Sequence, residues 1–173
     1  SRFGDLDRIE VLKGPQGILY GGSNIGGAVK FVSKRPSAEE GLTGKVKYQT
    51  GEQGISDTEV SVNVPLQGDW AMRVFAFSRD DDGFIKNPNS DGIDNQPSNV
   101  GAYSQDGTRI SIAGSISDNL SLYASVRRNE YLGPVNAWAR ELGQPGSFQY
   151  PKILDTGKNS TRDAETTSAT LEL

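Results

Sequence analysis

The chain has 173 residues, long enough for one domain with a core, and its 18 Lys plus Arg against 22 Asp plus Glu give a formal charge of −4. That mild acidity leaves no basic footprint for nucleic acid. Cys and His are both absent, which removes thiol nucleophiles, Ser–His pairs, disulfides and the usual zinc or copper ligands, so no catalytic residue, metal or cofactor is expected.

A cysteine-free chain also suits an oxidising compartment. No apolar run approaches the ~18 residues of a spanning helix, and the first residues lack the basic-then-apolar layout of a signal peptide. Strands, however, can cross a bilayer while alternating polar and apolar residues. The opening at Ser1 and the stop at "TSATLEL", inside what reads as a strand, predict a piece of a longer protein.

In chain order, "DRIEVLK" (Asp7 to Lys13) predicts a strand with Ile9 and Val11 on one side, ended by Gly14-Pro15 because proline has no donor for a ladder. "PQGILYG" leaves room for a helical turn or two, with Pro15 suited to its start. "GAVKFVSK" predicts a second strand, and "KRPSAEEG" is a polar, proline-broken linker. From Leu42 the pattern becomes period two. "GKVKYQT" sets Val46, Tyr48 and Thr50 against Lys45, Lys47 and Gln49, and "TEVSVNVPL" sets Val60, Val62, Val64 and Leu66 against Glu59, Ser61 and Asn63. In "DWAMRVFAFSR", Trp70, Met72, Val74 and Ala76 oppose Ala71, Arg73, Phe75, Phe77 and Arg79. "TRISIAGSIS" sets Ile110, Ile112 and Ile116 against Arg109, Ser111 and Ser115, and "LSLYASVRR" sets Leu120, Leu122, Ala124 and Val126 against Ser121, Tyr123, Ser125 and Arg127. "SATLEL" closes with Ala169, Leu171 and Leu173 against Ser168, Thr170 and Glu172. Such alternation predicts half-buried strands.

"QGD" (Gln67 to Asp69) and "SDN" (Ser117 to Asn119) are tight hairpin turns, whereas the links from Asp80 to about Gln105 and from Asn129 to about Asp163 are long. Turns at one edge and loops at the other are the habit of an outer-membrane barrel, although the link from Gly51 to Ser56 is short for its edge. "NSDGIDN" and "RDDDG" are oxygen-rich, but they lack the full calcium-loop spacing and read as Asx-rich turns.

The glycine cluster between the first two strands looks at first like a phosphate cradle. Gly21 and Gly26 have the P-loop spacing, but Gly27-Ala28 occupies the Lys-Ser/Thr slots, and no G-x-G-x-x-G placement fits. The glycines instead permit positive φ and close backbone approach in a tightly folded connection.

The stretch "RIEVLKGPQGILYGGSNIGGAVKFVSKRP" resembles the second half of the plug domain of TonB-dependent outer-membrane receptors. Arg8, Glu10, Gly14, Pro15, Leu19, Tyr20, Gly21, Gly26, Gly27, Lys34 and Pro36 occupy the positions of that family's pattern. Lys30 stands where the family commonly has Asn, and Asn24 where it has Ala or Ser. "RDDDGF" (Arg79 to Phe84) is similar to the usual top of the third barrel strand.

The resemblance implies a mostly β protein: residues 1–36 as the C-terminal part of a small mixed plug domain, 37–42 as a linker, and 43–173 as the first five to six antiparallel strands of an incomplete transmembrane barrel. The family's barrels have about 22 strands around a plugged lumen. It further implies import of a scarce nutrient such as a ferric siderophore, or cobalamin, haem or a carbohydrate, across the outer membrane of a Gram-negative bacterium. The partners implied are the TonB energy-coupling complex, engaged through an N-terminal box upstream of Ser1, together with membrane lipid and lipopolysaccharide. Arg73, Arg109, Arg127, Glu59 and Glu172 would line the polar interior, Val62→Arg would be costly and Asn63→Arg tolerated. Trp70, beside the "QGD" turn, would join an interfacial aromatic girdle. Arg8 and Glu10 could pair with barrel charges or with each other on a solvated strand. Tyr131, Trp138, Phe148 and Tyr150 could stack on a ligand or pack the loop that carries them. Apart from the resemblance, the same strands would suit a soluble secreted β-sandwich that binds carbohydrate or mediates adhesion.

Overall fold

A computed structural model describes residues 4–14, 26–83, 85–86, 99–134 and 161–173. The helical turn expected at Pro15, the motif positions Leu19, Tyr20 and Gly21, and the loop aromatics Trp138, Phe148 and Tyr150 lie outside the described residues.

Strands β1 (Leu6–Lys13) and β2 (Gly27–Ser33) form an antiparallel hairpin running from Leu6↔Ser33 to Lys13↔Gly27. The Gly14 amide donates to the Gly26 carbonyl at 3.3 Å, closing the ladder. Gly27 has φ +134°, and a Cβ there would strike the Leu12 carbonyl oxygen, so a close backbone crossing fixes this glycine.

A second sheet is built from β3 (Thr43–Thr50), β4 (Ser56–Pro65), β5 (Ala71–Asp81), β8 (Tyr103–Ser117), β9 (Leu120–Pro134) and β10 (Thr161–Glu172). A short ladder of β6 (Ile85–Lys86) and β7 (Asn99–Val100) lies between β5 and β8. The six strands run in the order β10-β9-β8-β5-β4-β3, antiparallel throughout, and the sheet is open with β3 and β10 at its edges. Gln67–Asp69 and Asp118–Asn119 make the tight turns as expected; at the first, Leu66 N–H donates to the Trp70 carbonyl at 2.8 Å and Gly68 has φ +70°. The Gly51–Ser56 link is a single 3₁₀ turn, Glu52–Gly54.

Three strands outrun their apolar alternation. β8 starts at Tyr103 instead of Thr108, β9 ends at Pro134 instead of Arg128, and β10 starts at Thr161 instead of Ser168, so the long links are shorter than expected. Polar pairs carry these extensions. Arg128 bonds Glu130 at 2.6 Å and cross-strand Glu165 at 3.0 Å.

The faces of the sheet divide unusually for a folded chain. Its covered face is polar: Asp57, Ser61, Asn63, Arg73, Arg109 and Ser111 are buried there with Phe75 and Phe77. Its opposite face is apolar and open, with Val60 37%, Ile110 54% and Val126 54% exposed. No second layer among the described residues covers that face, as a sandwich would require. An apolar face turned outward over a polar interior is the pattern of a membrane barrel wall.

Candidate functional site

The hairpin meets the polar face of the sheet at Asp5. Its φ is +53°, a left-handed conformation that Asp tolerates better than most residues. The turn aims the carboxylate into the sheet, where its side chain is only 6% exposed. Arg73 of β5 grips it with both arms, Nε to Oδ2 at 2.9 Å and Nη2 to Oδ1 at 2.6 Å. Arg109 of β8 donates from Nη2 to Oδ2 at 2.5 Å. The Asp5 carbonyl accepts the Lys34 amide at 2.9 Å, tying the two ends of the hairpin together beside this contact. Gly4 lies against the Phe75 ring, which also receives the Arg109 guanidinium 5.5 Å from its centroid. One carboxylate thus serves two buried guanidiniums, with fork geometry on the first.

A second contact holds the connection between hairpin and sheet. Asn63 of β4 is fully buried: its Oδ1 accepts the Ser37 amide at 3.1 Å, and its Nδ2 donates to the Ser37 and Gly41 carbonyls, each at 2.8 Å. The expected tolerance of Asn63→Arg is therefore overturned, because the inner face at this point is filled by the linker and not by water. Nearby, Arg35 reaches Glu172 of β10 and lies 4.3 Å above the Tyr123 ring.

Arg8 and Glu10 take the second of their two expected arrangements. Arg8 Nε bonds Glu10 at 2.7 Å and its Nη1 bonds Asp7 at 2.8 Å, while Lys30 stands 3.6 Å from Glu10. The Arg8 guanidinium holds the Glu10 carboxyl below the usual carboxylate range. Lys34 pairs with Glu40 at 2.9 Å, and Pro36 is buried at the start of the linker. Charged partners across the hairpin–sheet contact come instead from Asp5, which sequence reasoning passed over; Gly-Asp just ahead of the strand was its available signal.

At the end of the sheet opposite the tight turns, Tyr131 stacks on Tyr103 with ring centroids 6.0 Å apart, and Arg79 lies 5.6 Å from the Tyr103 ring. Tyr131 alone of the four expected loop aromatics is described, and the structure stacks it on Tyr103, whose ring Arg79 approaches. At the other end, Trp70 lies half-buried over Gly114, where a Cβ would collide with its ring, and its Nε1 donates to the Ser115 carbonyl at 3.1 Å. Asp69 in the same turn accepts the Ser115 amide at 2.9 Å. Hydrogen bonding from Ser115 lowers its carboxyl below the ordinary value.

Parts of this sequence are similar to known proteins. The metal-pseudopaline receptor of Pseudomonas aeruginosa is 33% identical over 81 residues, 46% of this chain and 11% of that protein. The ferrichrome outer membrane transporter/phage receptor of Escherichia coli is 34% identical over 64 residues, 37% of this chain and 8% of that protein. The ferrioxamine receptor of Yersinia enterocolitica is 32% identical over 77 residues, 44% of this chain and 11% of that protein. Over these stretches the chain is similar to TonB-dependent outer-membrane receptors. No family model matches it, and no solved structure does. The chain spans only about a tenth of the receptors it matches. Location in the outer membrane of a Gram-negative bacterium accounts for both the receptor likeness and the outward apolar face.

Proposed function

We propose that the chain is part of a TonB-dependent active transporter that imports a metal chelate, such as a ferric siderophore, across the outer membrane. In this reading residues 1–36 are the end of the plug, 37–42 the linker and 43–173 the first strands of the barrel. The observation that carries it is the inside-out sheet, whose polar face is occupied by a hairpin anchored through Asp5 to Arg73 and Arg109. A plug inside a barrel needs such a polar contact, because both partners face away from lipid. The relatives suggest the cargo class, being receptors or transporters for metal-pseudopaline, ferrichrome and ferrioxamine. Energy comes from the TonB complex pulling on a segment upstream of Ser1, and lipopolysaccharide surrounds the outer leaflet. Tyr131, with Tyr103 and Arg79, lies at the loop end where a chelate would enter, and aromatic faces beside a guanidinium offer it apolar contact and hydrogen-bond donors. The test is deletion of the complete gene in its host, followed by growth under iron restriction with single ferric chelates. Loss of growth on one chelate, restored by the gene and not by a gene lacking its TonB-interacting segment, is the expected result. Recovery of the full-length protein in the soluble fraction would reject the reading.

A further inference from the structure

Arg109 and Arg127 are directly opposed Cα partners on β8 and β9, both on the polar face. Like charges in such a cross-strand pair repel. Compensation is incomplete. Asp5 is the only carboxylate that reaches Arg109 among the described residues, and it is shared with Arg73. Arg127 reaches only the Ser33 hydroxyl, at 3.2 Å, and pairs with no carboxylate among the described residues. Arg109 is 3% exposed, and its Nε has no hydrogen-bond partner there. Every other cation around this point is matched: Arg8 by Asp7 and Glu10, Lys30 by Glu10, Lys34 by Glu40 and Arg35 by Glu172. Arg109 and Arg127 open onto a cavity of about 710 Å³ between hairpin and sheet, which Ser33, Ser125 and Thr170 also line. Asp7, Glu40 and Glu172 also line the cavity, but each is paired, with Arg8, Lys34 and Arg35 respectively. The corner walled by Arg109, Arg127 and the hydroxyls therefore keeps positive charge left over and fits an oxyanion.

We propose that this cavity binds a small oxyanion, a phosphate or a carboxylate, between Arg109 and Arg127 with the Ser33 hydroxyl at its side. The proposal takes from the functional reading only that the cavity lies inside an outer-membrane receptor. The oxyanion is either an inorganic anion that stays as a resident counter-charge or a carboxylate carried by the cargo, and two probes separate these sources. Full-length protein in detergent is titrated calorimetrically with inorganic phosphate and with citrate, at constant ionic strength set by chloride. Saturable binding of at least one probe is expected, weakened about tenfold or more in Arg127→Met, as loss of one charged hydrogen bond implies. Ser33→Ala weakens it in the same direction, and Arg128→Met, on the opposite face of the same strand, leaves it unchanged. Preference for phosphate identifies a resident counter-ion, and preference for citrate identifies a cargo carboxylate. Absence of saturable binding for both probes, or equal binding by wild type, Arg127→Met and Ser33→Ala, overturns the proposal. Because binding is read on purified protein, failed uptake in cells would leave this result standing.

Discussion

Asp5 joins two guanidiniums that would otherwise be buried without a counter-charge, and its replacement should be felt well beyond the loss of one contact. Breaking a buried pair by removing one partner costs about 3–5 kcal/mol. Asp5→Asn is therefore expected to lower the melting temperature of the full-length protein and to make the segment around β1 and β2 accessible to protease. Adding Arg109→Met to that variant should recover part of the loss, by removing one of the stranded charges. Asn63 gives a second expectation. Asn63→Ala leaves the Ser37 amide and the Ser37 and Gly41 carbonyls without their partner, at about 1–3 kcal/mol for each group left unsatisfied, measured by urea unfolding in micelles. Alternation alone was enough to place Arg73, Arg109 and Arg127 on the polar face. It could not reveal Asp5 or the role of Asn63, because each contact joins segments far apart in sequence and one side of each, Asp5 or the Ser37–Gly41 linker, lies in an unpatterned stretch.

Among the elements, strand facing is the quantity most open to test. Val62 lies on the outward face of β4, and Val62→Arg should cost about 2–4 kcal/mol if it sits near the bilayer midplane. Gln49, opposite Asp57 on the polar side of β3, makes a suitable partner variant, and Gln49→Arg should cost little in the same refolding assay. Equal penalties would show that the facing is wrong. The turn between β4 and β5 has a pH signature. Asp69 titrates lower when folded than unfolded, so its contribution is present above the ordinary carboxylate range and fades as pH falls through the lowered value. Asp69→Asn should therefore flatten the acid limb of a stability–pH curve and leave its neutral region parallel to wild type. Strand existence and facing were legible because lipid and lumen impose a period of two. Strand ends were not, since past Val126 the ladder continues through Arg128, Glu130 and Glu165, where neither lipid nor lumen sorts the residues.

For the molecule as a whole, an open sheet with β3 and β10 as unpaired edges and an apolar face uncovered is a template for association. Residues 1–173 expressed by themselves are expected in the pellet, and a monomer in sedimentation without detergent would contradict the barrel assignment. The hairpin register has a mechanical consequence. Leu6 and Ser33 pair at the same end of the ladder, next to the Asp5–Lys34 bond and the two arginines. Tension applied upstream of Asp5, with the downstream side tethered at Ser37 by Asn63, would load that end first and then unzip the rungs one after another instead of shearing them together. Once the carboxylate slips its guanidiniums, little force is needed to undo the remainder.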